Sequence, residues 1–190
     1  MTLEAFLTWE EGQPIRYEFD AFQPVAMTGG ILAHNRIMRR LHRALESGLE
    51  GCPFEPFGPD VKIIVDGRAG YPDAVVSCTP QNDRSQVVEN PVVVLEVLSD
   101  STSRTDRIDK VREYQATQPI LRYIILEQDS IGATVFERRQ DGWAASTLTD
   151  GDRLAMPEIA VEIPLYVDAR RPGTERAQSG PSKKPLAFAV

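Results

Sequence analysis

The sequence predicts an α/β (α+β) fold, a mixed central sheet with helices packed on its faces. Three observations lead there. Short apolar runs at residues 61–65, 71–78, 91–99 and 121–126 have the length and the Val/Ile-rich composition of strands. Two other segments, near 31–48 and 103–114, repeat their apolar residues at helical spacing. A chain of 190 residues is long enough for one domain with a full core.

In the first third, residues 3–10 put Leu3, Phe6 and Leu7 on one side of a short helix, which Gly12-Gln13-Pro14 ends. Residues 15–20 and 23–27 read as two short strands around a turn at Asp20-Ala21. Glu18 lies between Tyr17 and Phe19, so it faces away from both aromatics, and a solvent-facing acid is the simplest reading. Gly29-Gly30 leads into the helix near 31–48, with an apolar stripe of Ile37, Met38, Leu41, Leu45 and Leu49. His34 falls on that stripe and reads as a hydrogen-bonded residue at the helix start. Arg36, Arg39, Arg40 and Arg43 form a solvated far face.

Prolines 53, 56 and 59 mark residues 51–58 as a loop, and Asp66-Gly67 is a turn between strands 61–65 and 71–78. Ser103-Arg104-Thr105-Asp106 has the hydroxyl cap and first-turn acid of a helix start. Ile108, Val111 and Tyr114 form that helix's core-facing stripe, with Lys110 on its edge. Residues 133–138 and 143–148 pair as an added C-terminal hairpin across Gln140-Asp141-Gly142, and residues 159–167 are a last apolar segment. From residue 169 Pro, Gly, Ser, Lys and Arg dominate. Residues 1–168 are therefore expected to be the domain and 169–190 a flexible basic tail.

Composition excludes several classes. No apolar run approaches the roughly 18 to 20 residues of a membrane helix. The start lacks a basic region followed by an apolar one, so no signal peptide is read and a cytoplasmic location is expected. Cys52 and Cys78 make neither a metal cluster nor a disulfide framework. Of the net charge of −7, residues 169–190 carry +4 and the body −11. An acidic body repels polyanions unless bound cations compensate, and there is no helix-turn-helix signature, so a DNA-binding regulator is disfavoured.

The chemistry gathers between residues 71 and 114. Glu96 is an acid inside the apolar run Val92-Val93-Val94-Leu95-Glu96-Val97-Leu98, where a carboxylate needs a proton, a cation or hydrogen-bond donors. Asp73 opens the preceding run, 23 residues earlier, which suits two adjacent strands. Two such carboxylates, with the Val97 carbonyl, suit a hard divalent cation, Mg²⁺ or Mn²⁺, and phosphodiester hydrolysis. Lys110 can orient or deprotonate the attacking water. The plainer reading is a structural salt bridge between Glu96 and Lys110.

Taken in this order, Tyr17-Glu18, His34, Tyr71-Pro72-Asp73, Leu95-Glu96-Val97-Leu98-Ser99 and Asp106…Lys110…Tyr114 resemble the Uma-two family of bacterial domains. That family belongs to the PD-(D/E)XK, or restriction-endonuclease-like, superfamily, and the resemblance covers about residues 3–167. It implies a metal-dependent nuclease core acting on DNA, with Asp73 and Glu96 as its two acids. The motif's lysine would fall at residue 98, where this chain has Leu98, so the resemblance moves its role to Lys110. Glu18 matches a further acid near the site, and His34 a recurring position. The expectation is a metal-dependent nuclease, with a homodimer left open. The alternative is a non-catalytic binding or assembly module that keeps the fold.

Overall fold

A computed structural model describes residues 1–27, 29–98 and 104–165, the side chains of 104–107 excepted. The tail from residue 169, the Ser103 cap, the Asp106 side chain and residues 166–167 lie outside the described residues.

The chain runs α1 (Leu3–Glu10), β1 (Tyr17–Phe19), β2 (Pro24–Ala26), α2 (Leu32–Leu49), β3 (Glu55–Phe57), β4 (Ile63–Val65), β5 (Arg68–Gly70), β6 (Ala74–Ser77) and β7 (Pro91–Val97). It continues through α3 (Arg104–Ala116), β8 (Arg122–Leu126), β9 (Gly132–Arg139), β10 (Gly142–Thr149), β11 (Arg153–Met156), a 3-10 turn (Pro157–Ile159) and β12 (Val161–Pro164). Six strands form the central sheet in the order β10-β9-β8-β7-β6-β3. Its β7–β8 pair is parallel and its other pairs are antiparallel. Parallel neighbours need a crossover, and α3 supplies it. A smaller sheet, β2-β1-β5-β4, stands beside it, and β11 pairs with β12. This is the mixed α+β architecture expected.

The central sheet buries both faces, which explains why β6, β7 and β8 are apolar without alternation. On one face the α2 stripe of Ile37, Leu41, Leu45 and Leu49 packs against Ala74, Val76, Leu95, Val97 and Ile124, with Leu154, Met156 and Ile163 closing the layer. Leu41 and Leu45 are fully buried, each contributing about 1.5 to 3 kcal/mol. On the other face Val75, Val94, Tyr123 and Ile125 meet Tyr114 of α3 together with Ile63 and Val65 of β4. The end of α3 is fixed by Arg138, whose guanidinium donates to the carbonyls of Gln115, Thr117 and Ile120, each at 2.9 Å. Lys110, about a turn and a half earlier on the same helix, inherits that placement.

Several elements differ from expectation. Residues 51–58 are not all loop: β3 forms there despite Pro56, because it is the sheet's edge and pairs on one side only, with β6. The 71–78 strand begins only at Ala74, and β5 precedes it, pairing Ala69 with both Phe19 and Ile64. Asp66 and Gly67 both have positive φ, 46° and 74°, as a two-residue hairpin between β4 and β5 requires. The 133–148 hairpin forms as expected, and β9 also pairs with β8, so the hairpin extends the central sheet. Ile108 does not face the core. It is 47% exposed, at the mouth of a cleft shared with Val111, Ile125 and Phe136.

Among the described residues, no helix is long and apolar enough to cross a membrane.

Candidate functional site

The tripeptide Tyr71-Pro72-Asp73 links the two sheets, joining the end of β5 to the start of β6. Ala74 pairs with Leu95, so Asp73 comes level with Glu96 one step further along the β6–β7 ladder. Asp73 closes that ladder, its Oδ2 accepting the Val97 amide N–H at 2.7 Å. Helix α2 holds Asp73 from the other side at two points. His34 Nε2 stands 3.3 Å from Asp73 Oδ2, and His42 Nε2 lies 2.8 Å from the Asp73 carbonyl oxygen. The His34 pKa is raised, first by its hydrogen bond to Asp73. Burial opposes the rise, while the Asp73 charge and a backbone hydrogen bond with Val97 add to it.

Glu96 lies on the α3 side of the sheet, where four donor contacts meet its two oxygens. Lys110 Nζ is 3.2 Å from Oε1 and 3.4 Å from Oε2, Tyr114 Oη donates to Oε1 at 2.8 Å, and Tyr123 Oη to Oε2 at 3.2 Å. The same Lys110 Nζ reaches Glu18 Oε1 at 3.4 Å, and that oxygen accepts the Tyr71 N–H at 3.3 Å. Tyr114 is 2% exposed. Burial first, then the neighbouring Glu96 charge, pushes its pKa well above the ordinary phenol value, so the hydroxyl remains a donor. Hydrogen bonds to a charged group are worth about 1.5 to 3 kcal/mol. Tyr114→Phe should therefore lower stability by about 2 kcal/mol, read as a fall in the urea midpoint at unchanged slope.

All four expected side chains thus occupy one end of the central sheet, in two adjoining networks: Asp73 with His34 and Val97, and Glu96 with Lys110 and Glu18. Glu18 is not a solvated strand acid, since β1 turns it toward Lys110. The reading of His34 as hydrogen-bonded at the helix start matches its contact with Asp73. Lys110 reaches Glu96 because α3 folds back over β7.

Sequence reasoning missed His42, Tyr123 and the anchor of Tyr71. His42 lies eight residues after His34, about two helical turns on, and that spacing was the available signal. Tyr123 interrupts an aliphatic strand and shares the sheet face of Glu96. The Tyr71 hydroxyl donates to Glu10 Oε1 at 2.6 Å, and Lys62 pairs with the other oxygen of Glu10. Burial pushes the Glu10 pKa up, but hydrogen bonds from Lys62, Tyr71 and the Tyr17 amide outweigh it and hold the group below the ordinary value.

Among the described residues, no three His, Cys, Asp or Glu side chains gather into a metal cage. Two carboxylates and a backbone carbonyl are the donor types that a hard cation such as Mg²⁺ takes, together with water and phosphate oxygens. His34 and Asp73 are 15% and 16% exposed at the side chain.

Residues 3–168 match the family model Uma2, described as "Putative restriction endonuclease". An uncharacterized protein of Synechocystis, slr1290, is 32% identical over 168 residues, covering 86% of this chain and 88% of the relative. A second from that organism, sll1609, is 27% identical over 133 residues, covering 67% of this chain and 75% of the relative. Among solved structures, "a putative nuclease belonging to DUF820" from Anabaena variabilis superposes with a TM-score of 0.69 at 15% identity. The match covers 84% of this chain and 91% of that one, and it supports the fold. With the family match spanning nearly all the described residues, the chain belongs to the Uma2 family of restriction-endonuclease-like proteins.

Proposed function

We propose that the protein is a cytoplasmic, Mg²⁺- or Mn²⁺-dependent phosphodiester hydrolase acting on DNA. The observation that carries this reading is the convergence of Lys110, Glu96 and Glu18 beside Asp73 at the end of the β6–β7 ladder. The family's description as restriction endonuclease favours DNA as the substrate. When bound, the cation would neutralise phosphate charge and make water more acidic. Asp73 and Glu96, with the Val97 carbonyl, would hold it. Lys110 carries the proton-transfer or charge-stabilising role, because its amine already spans two carboxylates and can turn from either toward a water or a phosphate oxygen. Glu18 keeps that amine at the site through the Tyr71 amide.

One observation favours a second reading, a binding or assembly module. Glu96 already receives hydrogen bonds from Lys110, Tyr114 and Tyr123, which satisfies a half-buried acid without any metal. Calorimetric titration with Mg²⁺ and Mn²⁺, with and without a non-cleavable DNA duplex, separates the two. The hydrolase reading expects binding by the wild type that disappears in the Asp73→Ala/Glu96→Ala double variant. No binding by the folded wild type in either condition would leave the module.

A further inference from the structure

We propose that the outer face of α2 is a phosphate track for duplex DNA, on which Arg36, Arg39 and Arg43 hold the substrate backbone beside Asp73. This rests on the DNA-hydrolase reading above. A body carrying −11 repels a polyanion and needs a local basic surface to hold one. Between Asp20 and Glu46 the sequence has no acid at all, and Arg36, Arg39, Arg40 and Arg43 fall in that stretch. At about 100° per residue the four lie within about 100° of arc, turned away from the buried stripe of Ile37, Leu41 and Leu45.

Their surroundings separate them from most arginines of the body. Arg16, Arg68, Arg122, Arg139 and Arg153 each pair with a carboxylate. Among the described residues, the four on α2 make no ion pair and no hydrogen bond. Arg40 Nη1 is buried without an acceptor, a donor that an arriving phosphate oxygen can satisfy. A guanidinium already paired to a carboxylate attracts a phosphate weakly, whereas these four keep their full charge and their donors.

The helix also brings this face to the site. His34 and His42, on its flank, contact the carboxylate and the carbonyl oxygen of Asp73. Arg39 precedes His42 by three residues, so it stands about 60° further round the helix, next to the flank that faces Asp73. From Arg36 to Arg43 the stripe runs about 10 Å. A DNA strand carries one charge per roughly 3.4 Å of axis, so about three phosphates cover that length. Guanidiniums that bind phosphate read no base edge. The track therefore fixes where the backbone lies and carries no sequence preference.

The experiment measures binding of the full-length protein to a fluorescent phosphorothioate duplex by anisotropy, at fixed Mg²⁺ and a series of KCl concentrations. Circular dichroism checks that each variant is folded. Arg36→Gln/Arg39→Gln/Arg43→Gln should bind about 10- to 100-fold more weakly at about 0.1 M KCl. It should also lower the slope of log affinity against log salt by about 2 to 3. Arg40 is left in place because it is half-buried. Arg84→Gln/Arg139→Gln/Arg153→Gln removes equal charge from other exposed positions and should keep the wild-type slope. An unchanged slope in the α2 variant, or an equal fall in the control, would overturn the proposal and leave the DNA reading intact. Failure of the folded wild type to bind the duplex would overturn both.

Discussion

Glu96→Gln should eliminate metal-dependent DNA cleavage while leaving a folded protein. The substitution keeps the shape of the side chain and an acceptor for Tyr114, but removes the charge that faces Lys110 and would hold the cation. Losing a principal electrostatic contact of this kind costs about 10²- to 10³-fold in rate, or about 3 to 4 kcal/mol. Stability should change by only about 1 to 2 kcal/mol, the scale of the altered hydrogen bonds. Single-turnover cleavage of plasmid and duplex substrates, beside urea unfolding, measures both. Cleavage undiminished in a folded Glu96→Gln protein would remove Glu96 from the chemistry.

The largest effect on stability should come from the opposite side of Tyr71. Glu10→Ala would leave Lys62, 3% exposed, without its carboxylate partner, and the Tyr71 hydroxyl without its acceptor. Breaking a buried pair from one side costs about 3 to 5 kcal/mol, a large part of a typical domain's stability. Replacing both partners together, as Glu10→Leu with Lys62→Met, should recover most of the loss, because no unpaired charge then remains buried. The pH dependence follows from the sign of the Glu10 shift. A carboxyl held below its ordinary value of 4.5 contributes stability that is present above that value and lost as pH falls through the folded one. The stability gap between wild type and Glu10→Gln should therefore narrow as pH drops below 4.5, measured by urea midpoints across acidic buffers.

Much of this was legible in the residues, and the reason differs from case to case. Glu96 stood out because an acid inside an aliphatic strand has few stable environments, and the structure supplies one in Lys110 and two tyrosines. The α2 stripe was readable because a helix repeats its apolar face over four turns. Strand β5 was not, since Arg68-Ala69-Gly70 has no apolar alternation and is held by neighbours on both sides. The role of Glu18 was also hidden. Its strand periodicity correctly turned it from the aromatics, but the partner on that side, Lys110, lies 92 residues away. The Glu10–Lys62 pair, 52 residues apart, carried no local signature for the same reason.

Those separations have a kinetic and thermodynamic consequence. The bridges from Glu18 to Lys110 and to the Tyr71 amide span 92 and 53 residues, and neither belongs to a hairpin or a single helix. Contacts of high sequence separation form late in folding and give no reward until the intervening chain is ordered. The site therefore has no folding unit of its own, and its assembly is tied to the docking of the small sheet and α3 onto the large one. Along a denaturant titration, the ability to hold a cation should vanish in the same cooperative transition as the tertiary structure.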